Sequence, residues 1–115
     1  MEAFTLDKAT ILDRLGGDEE IFCVMADMFL HDVGNYCNEL AAALAAGDAD
    51  VLQREAHTVK GLLATFADET GAGMALAVEQ QAKLGRVAGQ EEAVAALQAR
   101  LHLVADGVRA ALPAD

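Results

Sequence analysis

The sequence predicts an all-α protein, an antiparallel up-and-down four-helix bundle with a short extra helix on its N-terminal side. The chain has 115 residues and a mass of 12.0 kDa, which leaves room for one hydrophobic core. It is rich in alanine and leucine but has one proline, four phenylalanines, one tyrosine and no tryptophan, a composition that suits packed helices better than a sheet. Glycines also divide the chain into segments of helical length.

Glycine and aspartate mark the ends of five predicted helices. Asp18 and Asp48 each follow a glycine and stand where a side-chain oxygen can cap the next helix. Asp68 can have the same capping role at a turn that lacks glycine. The breaks lie at Gly16-Gly17, Gly47, Gly85 and Gly89. The predicted helices span about residues 7–15, 18–45, 48–66, 68–85 and 90–112. The last four would form the bundle, and the first would cover one end of it.

The third predicted helix has one apolar face and one exposed face. At about 100° per residue, its apolar side chains lie within roughly 40° of a common direction, which predicts a buried stripe. These side chains are Leu52, Ala56, Val59, Leu63 and Phe66. His57 points about 140° away from the stripe, with Lys60 and Gly61 as neighbours on the outer face. Because many exposed histidines have no function, this geometry alone leaves both interpretations of His57 open.

Gly61 is a second unusual residue on that outer face. Glycine inside a helix costs on the order of 1 kcal/mol relative to alanine, which this chain uses freely elsewhere. Neutral drift or close packing against a neighbouring helix could explain it, but Gly61 lies opposite the core stripe. Close approach by another molecule fits better, and Ala64, one turn further, keeps the same face smooth.

The segment Ala56-His57-Thr58-Val59-Lys60-Gly61 resembles the phosphoacceptor motif of histidine-containing phosphotransfer (HPt) domains, an Ala-His-x-x-Lys-Gly core on the second long helix of a four-helix bundle. Leu15 to Glu20 resembles the turn that opens the family's first long helix, and Phe29-Leu30-x-Asp32 resembles the middle of that helix. Gly47-Asp48 resembles the start of the phosphoacceptor helix. Phe66 through Gly85, with Glu79 and Gln80 late in it, aligns with the next helix without a gap. The resemblance covers about residues 7–112, and we predict a single HPt-like domain over residues 1–115.

Three positions depart from the family pattern. Ala67 stands where the family usually has a glycine ten residues after the histidine, and Leu62 and Leu63 stand where it prefers small residues. None of them is on the predicted reactive face. Ala67 concerns how sharply the chain turns, whereas Leu62 and Leu63 concern how the helices pack.

The resemblance implies that His57 is the phosphoacceptor, that Lys60 stabilises the phosphoryl charge and that Gly61 admits the partner. Gln53, Arg54 and Ala64 on the same helix are predicted to contact that partner. The implied partners are response-regulator receiver domains, or a hybrid sensor histidine kinase. The receiver would supply both the aspartate and Mg²⁺, so the chain would have no cofactor of its own.

The chemistry of such a carrier requires few groups on the chain itself. A neutral imidazole is a competent nucleophile near pH 7, because the ordinary pKa of histidine is about 6.5. Phosphoryl transfer passes through a loose in-line transition state, so catalysis is mainly positioning and charge stabilisation. The sequence has no Walker loop, no glycine-rich nucleotide cradle and no obvious carboxylate cluster for Mg²⁺ beside His57. These features predict a phosphoryl carrier and not a kinase.

The net charge of the chain limits the classes of partner that it can bind. A formal net charge of −11 argues against nucleic acid and anionic membrane. Arg54 and Lys60 lie one turn either side of His57, while Lys83 and Arg86 close the following helix. Ordinary solvated surface is the favoured interpretation of Lys83 and Arg86. The spacing of Lys60 from His57 favours function.

The expected location is the cytoplasm, with the protein as a monomer. The first residues show no basic segment followed by an apolar stretch, and no run approaches the roughly 18 apolar residues of a membrane helix. Cys23 and Cys37 lie on one predicted helix about 21 Å apart, beyond disulfide reach, and are expected to be reduced packing thiols.

The other histidines have weak functional signals. His31 is isolated on the first long helix, and His102 lies about 115° from the apolar stripe of the last helix, so both are expected at the surface. That stripe contains Val94, Leu97, Leu101, Val104 and Val108. A zinc site would need ligands from three helices without the usual paired spacing. A di-iron site is also disfavoured, because no histidine has a glutamate three residues before it.

Two functions of different class remain. The leading one is a phosphorelay intermediate that carries a phosphoryl group on His57 between receiver-domain aspartates. The alternative is a helical-bundle adaptor that binds a receiver or another signalling protein without transferring anything. Intact His57, Lys60 and Gly61 favour the first, since an adaptor would be free to lose the histidine.

Overall fold

The computed structural model describes residues 4–113. Over that range the chain forms five α-helices and no strand: α1 (Lys8–Arg14), α2 (Glu19–Ala46), α3 (Ala49–Thr65), α4 (Glu69–Lys83) and α5 (Glu91–Ala111). The predicted all-α fold is confirmed, and every helix begins and ends within two residues of its predicted bounds. None of the helices in residues 4–113 combines the length and the apolar character needed to cross a membrane.

The four long helices surround one core. α2 packs against α3 and α5, and α4 packs against the same two helices, so the four close a ring. Short connections make successive helices antiparallel. The predicted apolar stripes are confirmed, because all five residues of the α3 stripe and all five of the α5 stripe are buried. Leu63 joins the core as expected, and Leu62 borders it.

The short helix α1 covers the end of the bundle where α2 begins and where α3 and α5 end. Lys8 Nζ donates a hydrogen bond of 2.9 Å to the carbonyl of Ala111 at the end of α5, and it forms an ion pair with Glu19 at the start of α2. Arg14 donates a hydrogen bond of 3.0 Å to the carbonyl of Ala64 near the end of α3. These contacts satisfy helix-terminal carbonyls that have no partner within their own helix.

Two of the three predicted caps are confirmed. The Asp18 carboxylate accepts a hydrogen bond from the amide of Ile21, and the Asp48 carboxylate accepts one from the amide of Val51, each at 3.1 Å. The prediction for Asp68 is wrong, because its side chain makes no capping bond to α4.

Asp68 instead forms a buried ion pair that ties the α3–α4 turn to α5. Its two carboxylate oxygens accept hydrogen bonds from Nε and from a terminal nitrogen of Arg100. Such a fork of charge-assisted bonds is stronger than a single bond from a backbone amide, so the carboxylate turns toward the guanidinium. The bond to Asp68 raises the pKa of Arg100. Gly71 leaves space for this carboxylate, since a Cβ at that position would overlap its Oδ2.

The turn between α3 and α4 places Ala67 in a left-handed backbone conformation. Its φ is 59°, and within residues 4–113 it is the one non-glycine residue with a positive φ. The amide of Asp68 donates to the carbonyl of Leu63 at 2.8 Å, which closes the end of α3. Gly47 ends α2 with a similar φ of 67°. α3 therefore ends as α2 does, but with a Cβ that this conformation disfavours.

We expect Ala67→Gly to stabilise the protein by about 1 kcal/mol, because glycine has no Cβ penalty at a positive φ. The matched reverse change, Gly47→Ala, should destabilise it by a similar amount, since no atom lies within 4 Å to oppose or favour the new Cβ and only the backbone matters. Urea unfolding of both variants and the wild type measures the two effects. An Ala67→Gly variant less stable than the wild type would contradict the backbone argument.

Candidate functional site

His57 lies in the middle of α3 on the face turned away from the core. Its side chain is 67% exposed, whereas Ala56 and Val59 on the inner face are fully buried. The predicted exposure of this histidine is confirmed. An imidazole in this position is open to a partner molecule without any rearrangement of the bundle.

The antiparallel packing of α3 and α4 brings Glu79 to His57 from 22 residues further along the chain. Its carboxylate contacts two side chains of α3. Nδ1 of His57 is 2.8 Å from Oε2, and Nζ of Lys60 donates a hydrogen bond of 2.7 Å to Oε1. The Glu79 side chain is only 11% exposed, so its carboxylate contacts the imidazole on the side of the ring that faces the bundle.

The charge of Glu79 determines which imidazole nitrogen carries the hydrogen. The hydrogen bond from Lys60 is the main reason that the pKa of Glu79 lies below its ordinary value, and the bond to His57 adds to the effect while burial opposes it. The carboxyl group is therefore ionised at neutral pH and can only accept hydrogen bonds. Nδ1 of His57 must be the donor, and Nε2 keeps its lone pair on the exposed ring.

Lys60 is half-buried, and its ammonium group forms an ion pair with the carboxylate of Glu79. The sequence predicted its place one turn from His57, but it did not predict that a carboxylate would lie between the two side chains. An ammonium group has three N–H donors, so the bond to Glu79 leaves two for other acceptors. The predicted action of Lys60 on phosphoryl oxygens remains a prediction.

Gly61 is exposed one turn beyond His57. A Cβ at this position would meet no atom within 4 Å. This finding excludes close packing within the chain, which was one of the explanations that the sequence left open. Gly71 differs, since a Cβ there would overlap Asp68 and crowd Leu63.

A shallow cleft of about 480 Å³ adjoins the histidine between α3 and α4. Two of the three predicted partner-binding residues, Gln53 and Arg54, line it together with His57, and so does Lys83 of α4. The third, Ala64, lies at the opposite end of the same helix face, next to α1. The predicted residues therefore follow one face of α3 and do not converge on one point.

An apolar surface borders this face on the side of α2. Ile21, Val24 and Met28 are 44%, 59% and 61% exposed. We call these three residues the α2 surface. Next to it, a small cavity of about 120 Å³ lies between α2 and α3 and is lined in part by Met25, Met28 and Leu62. Leu62 follows Gly61 directly, so the α2 surface and the histidine face are continuous.

Sequence reasoning missed Glu79 as a site residue and missed the α2 surface. For Glu79 a signal was present: it follows the buried Val78 and lies one turn from the buried Ala75, so it breaks the apolar stripe of α4. A charged residue on a buried stripe requires a partner. The exposed positions Ile21, Val24 and Met28 share one face of α2 by their spacing, but only the packing of α2 shows that this face is uncovered.

The remaining histidines and cysteines lie apart from this site. His31 and His102 are exposed, as predicted, and Cys23 and Cys37 are free thiols. Sγ of Cys37 is 3.6 Å from Nε2 of His102. In residues 4–113 no three histidine, cysteine or acidic side chains are grouped so that they could hold a metal ion.

Comparisons with known proteins agree with the helical-bundle fold. The Hpt domain family matches residues 24–107. The structure of histidine-containing phosphotransfer protein B from Pseudomonas aeruginosa PAO1 has a TM-score of 0.82 and 25% identity, with 95% of each chain covered. The HPT domain of a sensor hybrid histidine kinase from Shewanella has a TM-score of 0.82 and 19% identity, with 96% of each chain covered, which supports the fold. A search of curated protein sequences gave no match. Because the family match spans most of the chain and includes the His57 motif, the protein belongs to the Hpt domain family of phosphorelay histidine phosphotransfer carriers.

Proposed function

We propose that Nε2 of His57 accepts a phosphoryl group from the aspartate of one receiver domain and passes it to the aspartate of another. The observation that carries this proposal is the bond from Nδ1 to Glu79, which leaves Nε2 as the nucleophilic nitrogen on an exposed ring. The protein acts as a carrier without a nucleotide site or kinase activity of its own. We also propose a cytoplasmic location. The protein is a monomer that forms transient complexes, because a relay requires rapid turnover.

The transfer needs positioning and positive charge more than covalent chemistry from the protein. Lys60 supplies one positive charge one turn from His57, and its bond to Glu79 leaves two N–H donors for phosphoryl oxygens. The Glu79 carboxylate beside His57 already accepts hydrogen bonds from two donors, which makes it a poor ligand for a metal ion. We therefore assign Mg²⁺ and the reactive aspartate to the receiver.

The adaptor alternative is not favoured. An adaptor would need the bundle and a docking surface, but it would not need an ordered imidazole. In this chain the imidazole is held by a carboxylate that is itself buried and charged. The carboxylate is paired with Lys60 as well as with the imidazole, so its charge is compensated. The pairing fixes the imidazole in one orientation, which a phosphoryl carrier uses and an adaptor does not need.

The outer face of α3 and the α2 surface together form the proposed docking site for the receiver. Gly61 leaves the helix surface beside His57 without a side chain. Val24 and Met28 add exposed apolar area next to this face of α3. Apolar side chains at this level of exposure mark interaction sites more often when they are contiguous than when they are scattered. The cations Arg54 and Lys83 lie on the other side of His57, where they complement an acidic partner.

We expect His57→Gln to abolish phosphoryl acceptance and to leave the fold intact, because the exposed side chain makes no core contact. The measurement is incubation with phosphorylated receiver domains, followed by detection of acid-labile, base-stable label on the chain. His102→Gln is the matched control, since it removes another exposed histidine by the same change and should keep full labelling. Label at the wild-type level in His57→Gln would refute the assignment.

We expect Gly61→Ala to gain helix propensity, on the order of 1 kcal/mol, and yet to slow transfer from a phosphorylated receiver. Gly61→Gln should slow it further, since displacing reacting atoms by about 1 Å can cost roughly 10²-fold in rate. The control is Gly73, an exposed glycine on α4 where an added Cβ would also meet no atom within 4 Å, so Gly73→Ala should stabilise without slowing transfer. Phosphoramidate should label all variants alike, because a small donor needs no docking surface. Equal receiver rates for wild type and Gly61→Gln would show that this face does not admit the partner.

Met28→Gln on the α2 surface is expected to weaken receiver binding, which should appear as a higher KM for the phosphorylated receiver with little change in the rate at saturation. The matched control is Leu103→Gln, a similar loss of exposed apolar area on α5. Steady transfer rates across a receiver concentration series measure both. An unchanged KM for Met28→Gln, or an equal rise for Leu103→Gln, would exclude the α2 surface as part of the docking site.

A further inference from the structure

We infer that Glu79 keeps Nδ1 of His57 protonated while Nε2 carries the phosphoryl group, so that the transfer from His57 back to an aspartate does not depend on pH across the neutral range. The inference rests on the proposed function and adds a role for Glu79 in the donor half of the relay. It starts from the contact of 2.8 Å between Nδ1 and a nearly buried carboxylate.

The bonds and charges of the transfer balance without a free proton. On acceptance, the lone pair of Nε2 attacks phosphorus, the bond from phosphorus to the aspartate oxygen breaks, and the aspartate leaves as a carboxylate. Nδ1 keeps its hydrogen, so the ring becomes a cation next to the Glu79 anion. On return, an aspartate oxygen attacks phosphorus, and the electron pair of the broken P–N bond goes back to Nε2. The ring is then neutral again, with its hydrogen still on Nδ1.

The hydrogen on Nδ1 determines how well His57 can give the group away. If it is present, the leaving group of the return step is a neutral imidazole. If it is lost, the leaving group is an imidazole anion, which is a far stronger base and leaves more slowly. A free imidazolium cation loses one of its two N–H protons at a pH of about 6.5. A phosphorylated ring of similar acidity and without a nearby anion would therefore be largely in the slow form in neutral solution.

Glu79 is the group placed to prevent this loss. Its Oε2 contacts Nδ1, and the Lys60 bond lowers its pKa, so it remains an anion throughout the neutral range. A carboxylate at hydrogen-bond distance stabilises the ring that carries a hydrogen on Nδ1 over the ring that has lost it. The contact is sheltered from solvent on the Glu79 side, which limits screening.

Other charged groups around the ring do not replace this effect. Arg54 and Asp50 of α3 and Lys83 of α4 line the cleft beside the ring, and Lys60 of α3 is bonded to Glu79. The three cations oppose a proton on the ring, and Asp50, an anion that lines the same cleft, makes no hydrogen bond or ion pair with His57. In residues 4–113 no hydrogen bond or ion pair joins Glu79 to α5 or α2. Among the described side chains, the only anion bonded to the ring is therefore Glu79.

The test compares the pH profile of return transfer in the wild type, Glu79→Gln and Glu69→Gln. Each protein is labelled with a phosphorylated receiver, purified, and mixed with fresh receiver and Mg²⁺ at a series of pH values from about 6.5 to 8.5. Glu69→Gln is the matched control, because it makes the same change of charge at an exposed position of the same helix. Dividing each variant's rate by that of the wild type removes the pH dependence of the receiver.

We expect the Glu79→Gln ratio to fall with rising pH, by up to about tenfold per unit once its ring begins to lose the proton, and the Glu69→Gln ratio to stay constant. A structural role alone would lower the rate by one factor at every pH, so a constant Glu79→Gln ratio would overturn the inference while leaving the proposed function in place. A wild type that takes no label on His57 would overturn both.

A second measurement needs no substitution and covers the case in which Glu79→Gln does not fold. ¹⁵N NMR of the phosphorylated wild type at pH of about 8.5 reports the state of the ring directly. A hydrogen on Nδ1 at that pH supports the inference. A bare Nδ1 overturns it, because the carboxylate then fails to hold the proton.

Discussion

The carboxylate of Glu79 joins the two helices on which the reactive face depends. One of its oxygens accepts a hydrogen bond from Nδ1 of His57 and the other accepts one from Lys60, at 2.8 and 2.7 Å. The bond to Lys60 keeps the carboxyl group charged, and the charge in turn fixes which nitrogen of His57 holds the hydrogen. The orientation of the imidazole, the identity of the nucleophilic nitrogen and the position of the ammonium group therefore have one common cause. Within residues 4–113 no buried side-chain nitrogen or oxygen lacks a partner, so this charged group is fully compensated.

The rest of the fold sets the register that makes this contact possible. The α3–α4 turn is closed by the left-handed Ala67 and fixed to α5 by the ion pair of Asp68 with Arg100. Small residues then line the buried face of α4, with Gly71 and Ala75 before Glu79. They allow α4 to lie close to α3, so a side chain as short as glutamate can reach across to His57. A slip of one residue between the two helices would turn Glu79 by about 100° and separate it from the imidazole.

Much of the fold could be predicted because its signals are local. Both ends of α2 and the start of α3 follow from glycine next to aspartate, and the apolar stripe of α3 follows from helical periodicity. The role of Asp68 could not be predicted in this way, since Arg100 lies 32 residues away and competes for the same carboxylate. The exposure of His57 and Gly61 follows from the same periodicity. The contact with Glu79 does not, because it depends on which residues of two helices face one another, and a single sequence does not give that register.

The central claim is that Glu79 holds the hydrogen on Nδ1 and leaves Nε2 free to react. The most direct measurement is ¹⁵N NMR of the two ring nitrogens of His57 in the unphosphorylated protein, slightly above neutral pH. We expect Nδ1 to carry the hydrogen, Nε2 to have the chemical shift of an unprotonated nitrogen, and Glu79→Leu to abolish this preference. A wild-type spectrum in which the hydrogen lies mainly on Nε2, or is shared equally between the two nitrogens, would contradict it.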